Sequence, residues 1–221
     1  MKFADNDILT VSNLNRFRAG ICDLGINKAV LSARQVYEVN PYALIQVFPH
    51  GLDMTNIKNF LLKPKIDVLI EEMDNLSLKI TVRELARAHR IPTLMVTGNG
   101  ANVILDIERF DIDQNLPLLN GYLHPEIIER IKTILPQSID IKEKIQLARD
   151  FMNSEELTER LQRSFALIGS QLSGIPQLAE SSFLRGAVIA YCVRQLATGD
   201  DLPSGRYYLE LDRIIKKNNS I

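Results

Sequence analysis

The sequence is poor in the residues that mark several common classes of protein. Its 221 residues include two cysteines, three histidines and no tryptophan, and its 26 basic and 27 acidic residues leave a net charge of −1. Cys22 and Cys192 are far apart, which excludes a four-thiolate zinc site and gives no disulfide framework, so we expect no zinc. The near-zero charge gives no electrostatic case for binding nucleic acid or an anionic membrane.

Long hydrophobic runs are also missing. No apolar stretch reaches the roughly 18 residues that a membrane span needs, and residues 1–7 lack the apolar region of a secretory signal. His50, His89 and His124 are scattered and share no spacing typical of metal ligands or of a catalytic triad. We therefore expect a cytoplasmic protein without a membrane partner, and we assign the histidines no chemistry.

What the chain does contain is a pattern that changes near residue 111. Before that point, short apolar runs alternate with helical patterns, which predicts right-handed βαβ crossovers and a parallel sheet. The predicted strands are 43–49, 67–72 and 93–98, and the predicted helices are 25–39, 54–62 and 76–90. Segment 101–111 follows the third strand after a short Asn-Gly turn, so we expect it to pair as an antiparallel hairpin strand.

Strand signals nearly vanish from residue 112 onward. Helical patterns cover 124–135, 139–153, 154–172 and 181–199, and a last strand is expected within 204–212. Ser154 is expected to cap the third of these helices. The sequence therefore predicts an α/β fold with a Rossmann-like, mostly parallel sheet and an antiparallel hairpin strand, followed by a mainly helical C-terminal region. The predicted domains are 1–111 and 112–221.

Polar motifs accompany the predicted strands in a regular order. They are Asp5-Asn6-Asp7, Ser12-Asn13-Leu14-Asn15-Arg16, Lys28 in the helical pattern 25–39, and DVLIEEMDN at 67–75, which ends in Asp74-Asn75. Each has a structural interpretation when taken alone: a strand end, a helix cap, solvated side chains, and an N-cap, respectively. Their conjunction favours a functional interpretation.

In this order and spacing, the motifs resemble the adenylating-enzyme superfamily of ThiF, MoeB, HesA and the ubiquitin-activating enzymes, over residues 3–111. The resemblance implies ATP-dependent adenylation of the C-terminal carboxylate of a ubiquitin-like or sulfur-carrier protein, with release of pyrophosphate. Matched by position, Asp5 would accept hydrogen bonds from the ribose, and Asn13, Arg16 and Lys28 would contact the triphosphate. Asp74 would help to hold Mg²⁺. The implied cofactors are ATP and Mg²⁺, and the implied catalytic residues are Arg16, Lys28 and Asp74.

The chain also departs from the family pattern. Members carry a glycine-rich, phosphate-binding turn ahead of the D-x-D strand, and the 221 residues begin at that strand. We expect a preceding segment, a partner chain or a second copy to complete the sheet, and hence a homo-oligomer or a complex with a partner.

Two residue types differ from the family at the site itself. Glu71 stands where the family has aspartate, and neither cysteine matches the position used for thioester or persulfide formation, so we expect no covalent carrier intermediate. Two hypotheses remain. One is an adenylyltransferase homologue, impaired in this chain alone. The other is a catalytically inactive scaffold or binding subunit of an activating-enzyme complex.

Overall fold

The computed structural model describes residues 1–133, 141–152 and 157–215. The chain divides into two compact units, Met1–Ile66, which we name the N-unit, and Asp67–Ile221, which we name the C-unit. The division predicted after residue 111 rests on the change of sequence pattern and stays a prediction. No helix in the described ranges is long and apolar enough to cross a bilayer.

The N-unit is a small βαβ arrangement. Its elements are β1 (Lys2–Ala4), α1 (Lys28–Val39), β2 (Gln46–Phe48) and α2 (Ile57–Leu62), with short 3₁₀ turns at Val11–Asn13 and Ile21–Asp23. The strands pair in parallel, with Lys2 opposite Gln46, as expected when a helix connects them. The rings of Phe48 and Phe60 meet edge to face, 5.3 Å apart, and so pack β2 against α2.

The C-unit is built on one mixed sheet. Its strands are β3 (Leu69–Ile70), β4 (Thr93–Asn99), β5 (Asn102–Glu108) and β6 (Gly205–Leu209), adjacent in that order. β3 and β4 are parallel, whereas β4–β5 and β5–β6 are antiparallel. The predicted α/β fold and the hairpin strand are confirmed. The last strand adds a second antiparallel pairing to this sheet.

Helices surround this sheet. They are α3 (Leu76–Ala88), α4 (Pro125–Thr133), α5 (Ile141–Met152), α6 (Glu159–Leu167), α7 (Ala179–Thr198) and α8 (Leu211–Ile214), with a 3₁₀ turn at Leu118–Gly121. α6 begins after Thr158, whose hydroxyl accepts from the backbone N–H of Leu161 at 3.4 Å. The expected cap, Ser154, lies outside the described residues.

The two faces of the sheet differ in chemistry because side chains alternate along each strand. One face is apolar and packs against α7, and its core consists of Leu94, Val96, Val103, Leu105, Ile107, Val188, Cys192 and Leu202. The opposite face of β5 carries Asp106 and Glu108, both fully buried. Buried charge must be paired. That second face therefore contains the ionic groups described below.

Candidate functional site

One side chain joins the D-x-D motif to helix α1. Asn27 Oδ1 accepts from the backbone N–H of Val30 at 3.1 Å, which caps the helix. Its Nδ2 donates to the backbone carbonyls of Asp5, Asp7 and Pro49 at 2.8, 3.1 and 3.0 Å. Asn27 thus fixes the start of α1 against the ends of both strands. The available sequence signal was an asparagine, a residue type favoured at N-caps, close to the start of the helical pattern 25–39.

The two aspartates of the motif have different contacts. Asp5 Oδ1 accepts from the backbone N–H of Asp7 at 2.8 Å and shapes the turn after β1. Asp7 Oδ2 lies 2.7 Å from Lys28 Nζ, and the Lys28 side chain is 17% exposed. The structure therefore brings Asp5, Asp7 and Lys28 together. The part played by Asp7 in fixing the lysine was not predicted.

The Ser-Asn-Leu-Asn-Arg run forms a 3₁₀ turn. Asn13 Oδ1 accepts from the backbone N–H of Thr10 at 3.0 Å and from its hydroxyl at 3.1 Å. Arg16 Nη1 donates to the carbonyl of Ser12 at 2.7 Å and to Asn15 Oδ1 at 3.0 Å. The turn thus positions the half-buried Arg16 side chain, and the hydrogen bonds of Asn13 close the turn.

The C-unit contains a cavity of about 200 Å³ at the carboxyl ends of β3 and β4. Ligands of open α/β sheets bind at this end of the strands. Its polar lining includes Glu72, Asp74, Lys79, Thr97, Ser181 and Arg185, and its apolar lining includes Met95, Phe151, Met152, Leu161, Phe165 and Leu178. The cavity therefore offers both charges and a large apolar wall.

Asp74 lines this cavity, and its neighbour performs the capping role. Asn75 Oδ1 accepts from the backbone N–H of Leu78 at 3.1 Å, which caps α3. The exposed Asp74 carboxylate is not needed as a cap. Mg²⁺ prefers oxygen ligands and is commonly held by one or two carboxylates together with substrate phosphates, so the chemistry of Asp74 fits this ion. Among the described residues, no three His, Cys, Asp or Glu side chains converge as a metal-binding group.

Glu71 belongs to a buried ionic network. Its carboxylate pairs with Arg83, lies 3.0 Å from Lys79 Nζ, and accepts the backbone N–H of Met73 at 2.7 Å. Burial acts to raise the pKa of Glu71, but the charges of Arg83 and Lys79 outweigh it and hold that pKa below its ordinary value. Both carboxylate oxygens bind protein donors, so Glu71 stabilises the fold.

Arg83 extends the network to β5. Its Nε lies 2.9 Å from Glu108 Oε2, and Glu108 Oε1 accepts the backbone N–H of Leu119 at 2.6 Å. The side chains of Arg83 and Glu108 are fully buried. Burial raises the pKa of Glu108, although Arg83 acts in the opposite direction. Acidic residues alternating along an otherwise apolar strand were the sequence signal for this network.

Glu72 and Arg185 meet in the cavity. Glu72 Oε1 accepts the backbone N–H of Val96 at 2.9 Å, and Oε2 lies 3.7 Å from Arg185 Nη1. The Glu72 side chain is 42% exposed, yet its carboxyl group is surrounded by cavity walls, and this desolvation raises its pKa. Arg185 Nη2 donates to Ser182 Oγ at 3.0 Å, whereas its buried Nε has no hydrogen-bond partner among the described residues.

Comparison with known protein families gives a match for the N-terminal half of the chain. The ThiF family model matches residues 1–104, which contain the D-x-D, Ser-Asn-Leu-Asn-Arg, Lys28 and Asp74-Asn75 motifs. Residues 1–104 are therefore similar to the ThiF family. The resemblance seen in the sequence is thereby confirmed.

Two curated relatives extend the comparison. The uncharacterised protein MT1398 of Mycobacterium tuberculosis (strain CDC 1551 / Oshkosh) is 30% identical over 217 residues, which are 98% of this chain and 29% of that protein. The "Probable molybdopterin-synthase adenylyltransferase" of Porphyra purpurea is 32% identical over 72 residues, covering 32% of this chain and 18% of that protein. The chain thus spans less than a third of the length of either relative.

The similarity of fold to a solved structure extends over most of the chain. The crystal structure of Escherichia coli MccB with ATP has a TM-score of 0.57 and 16% sequence identity, and the match covers 96% of this chain and 52% of that one. Since this coverage passes residue 104, the mainly helical region after β5 shares the fold with MccB.

Proposed function

We propose that the protein binds ATP and activates a carboxylate as its adenylate. In this reaction a carboxylate oxygen bonds to the α-phosphorus and pyrophosphate leaves. The substrate we propose is the C-terminal carboxylate of a ubiquitin-like or sulfur-carrier protein. The match of residues 1–104 to the ThiF family supports the reaction type, and the relative whose name gives an adenylyltransferase activity agrees with it.

The observation that carries the proposal is the way Asp7 holds Lys28. The ion pair at 2.7 Å and the backbone bond from Lys28 N to Asp7 O at 2.9 Å fix the lysine at the start of α1, next to the D-x-D turn. A lysine prepared in this way supplies a localised positive charge for phosphate oxygens. We assign the ribose contact to Asp5 and the triphosphate contacts to Asn13, Arg16 and Lys28.

Asp74 is the proposed ligand of Mg²⁺. When bound, the ion would neutralise phosphate charge during displacement. The carboxylate of Asp74 contributes its negative charge, and Asn75 fixes the start of α3 directly behind it. A change of Asp74 to asparagine removes the charge and keeps the shape.

Pyrophosphate exchange tests the proposal on the full chain. We would measure incorporation of labelled pyrophosphate into ATP in the presence of Mg²⁺ and a synthetic peptide with a free C-terminal carboxylate. We expect exchange with the acid and none with the peptide amide, and loss of exchange in the variants Lys28→Ala and Asp74→Asn. Lys58→Ala, an exposed lysine of α2, is the matched control and should behave as wild type. Exchange that survives in Lys28→Ala or Asp74→Asn would contradict the assignment.

The second candidate is a scaffold or binding subunit that does not catalyse. It is favoured by Glu71, whose oxygens are both occupied by protein donors where the family has an aspartate. A folded chain that neither binds ATP nor exchanges pyrophosphate would support this alternative.

We also propose that β1 gains a strand from a second copy or a partner chain. Within the described residues, β1 pairs with β2 only, so its other edge offers backbone groups for pairing. Light scattering of the purified chain should give a mass above that of the 25.0 kDa monomer. A monomer that binds ATP would contradict this proposal.

A further inference from the structure

The C-unit cavity is small and has room for a group about the size of one large side chain. Its volume of about 200 Å³ lies below the 300–1,000 Å³ typical of pockets for drug-sized ligands. Its walls nevertheless provide charged groups of both signs. The chemistry of the occupant can therefore be inferred from those groups.

Arg185 is the incompletely neutralised charge of the cavity. Its carboxylate partner among the described residues is Glu72, whose Oε2 lies 3.7 Å from Arg185 Nη1 and thus beyond hydrogen-bond distance. Its Nε is buried without a partner among the described residues, and a buried donor left unpaired is costly. The Arg185 side chain is 25% exposed, so an added anion beside its guanidinium would complete the neutralisation of this charge.

The other charges of the cavity favour a singly charged anion. Lys79 is paired with Glu71, and Glu72 lies beside Arg185, so the described lining leaves a single guanidinium to compensate the charge of a ligand. A carboxylate carries a single negative charge and presents two oxygens to a guanidinium.

The apolar wall indicates what the carboxylate is attached to. Met95, Phe151, Leu161 and Phe165 line the cavity and are themselves almost fully buried. Such a wall stabilises a large aliphatic or aromatic side chain and gains little from a glycine.

We propose that this cavity binds a carboxylate attached to a bulky apolar side chain. Arg185 binds the carboxylate. The apolar side chain packs against the wall formed by Met95, Phe151, Leu161 and Phe165. This chemistry belongs to a peptide C-terminus ending in a residue such as leucine and equally to a free apolar amino acid. The inference deepens the proposed function by naming the substrate class, and in that respect it rests on that function. Binding itself requires no ATP.

Calorimetry on the full chain without ATP tests this binding. The probes are acetyl-Gly-Leu, its C-terminal amide, acetyl-Gly-Gly and free leucine. We expect acetyl-Gly-Leu to bind, and its amide and acetyl-Gly-Gly to bind at least roughly tenfold more weakly, because one loses a charge-assisted hydrogen bond and the other loses the apolar side chain. Free leucine that binds more tightly than acetyl-Gly-Leu would support the shared chemistry and assign its source to the amino acid.

Variants identify the binding residue. Arg185→Gln should weaken acetyl-Gly-Leu binding roughly tenfold or more, while Arg194→Gln, an exposed arginine on the same helix, should not change it. Gly98→Ala keeps Arg185 and narrows the cavity, since the new Cβ would lie 3.2 Å from Ser181 Oγ and 4.0 Å from Arg185 Nε. It should also weaken binding, and circular dichroism would verify the fold of each variant.

Three results would overturn the inference. They are no binding of acetyl-Gly-Leu or leucine, equal affinity for acid and amide, and unchanged affinity in a folded Arg185→Gln variant. Because no ATP is present, these results leave the pyrophosphate-exchange test of the adenylation proposal unaffected.

Discussion

Replacing Arg83 by methionine should destabilise the C-unit strongly. The change keeps much of the apolar stem and removes the charge that Glu71 and Glu108 share. Glu71 keeps Lys79 as a partner, whereas Glu108 keeps only the backbone N–H of Leu119 among the contacts described above. The loss of folding free energy in Arg83→Met therefore comes mainly from the Glu108 carboxylate, which is left buried without a charged partner.

The magnitude can be bounded from the protonation of Glu108. Breaking a buried ion pair costs roughly 3–5 kcal/mol. The unpaired Glu108 carboxylate can instead take up a proton. At pH 7, which is roughly 2.7 pH units above the ordinary glutamate pKa, protonation costs about 1.36 kcal/mol for each unit, or about 3.7 kcal/mol. We expect Arg83→Met to lower the free energy of unfolding by about 3–4 kcal/mol at pH 7. At pH 5 protonation costs only about 1 kcal/mol, so the loss should shrink accordingly.

Urea denaturation followed by far-UV circular dichroism at both pH values provides the assay. With a slope of about 2–3 kcal/mol/M, the midpoint at pH 7 should fall by roughly 1–2 M. Arg163→Met, at an exposed pair on α6, is the control and should leave the midpoint unchanged. A loss under about 1 kcal/mol at pH 7, or an equal loss at pH 5, would refute the account of this network.

Two further changes test other parts of the fold. Asn27→Ala removes the cap of α1 and the donor to three backbone carbonyls, so thermal denaturation should show a loss of about 2 kcal/mol; an unchanged melting temperature would contradict its role. Glu71→Gln tests the pH dependence of stability. The folded-state pKa of Glu71 is lowered, so its carboxylate stabilises the fold fully above the unfolded-state pKa of about 4.3. This stabilisation is lost as the pH falls through the folded-state pKa. The stability difference between wild type and Glu71→Gln should therefore be full at neutral pH and decline below about pH 4, and a difference that grows on acidification would contradict this sign.

Local sequence patterns predicted much of the fold. Segment 101–111 was expected to return antiparallel after a short turn, and β5 does so from Asn102 to Glu108. The last strand, expected within 204–212, is β6. Turn residues and alternating apolar residues act over a few positions, so a single sequence displays them.

Pairings between distant residues could not be predicted in this way. Arg206 binds Asp106 through two hydrogen bonds, at 2.8 and 3.1 Å, although a hundred residues separate them. Arg83 likewise pairs with Glu71, directly after β3, and with Glu108, at the end of β5. Such partners follow from the order of strands in the sheet, which local periodicity leaves open.

The candidate site shows the same division. The order of the motifs selected Asp5, Asn13, Arg16, Lys28 and Asp74 as candidate site residues, but it did not predict which groups each of them contacts. The capping of α3 by Asn75 agrees with the N-cap interpretation of Asp74-Asn75, whereas the ion pair of Lys28 with Asp7 depends on how the turn after β1 meets α1. Arg185 was not predicted, because nothing near it in the sequence distinguishes it from a solvated arginine on a helix.

Calorimetric titration of the purified chain with ATP and Mg²⁺ tests the central claim most directly. The account predicts magnesium-dependent binding that is lost in Lys28→Ala and retained in Lys58→Ala. Absence of binding by a folded chain, or binding that Lys28→Ala leaves unchanged, would contradict the assignment of the N-unit motifs to a nucleotide.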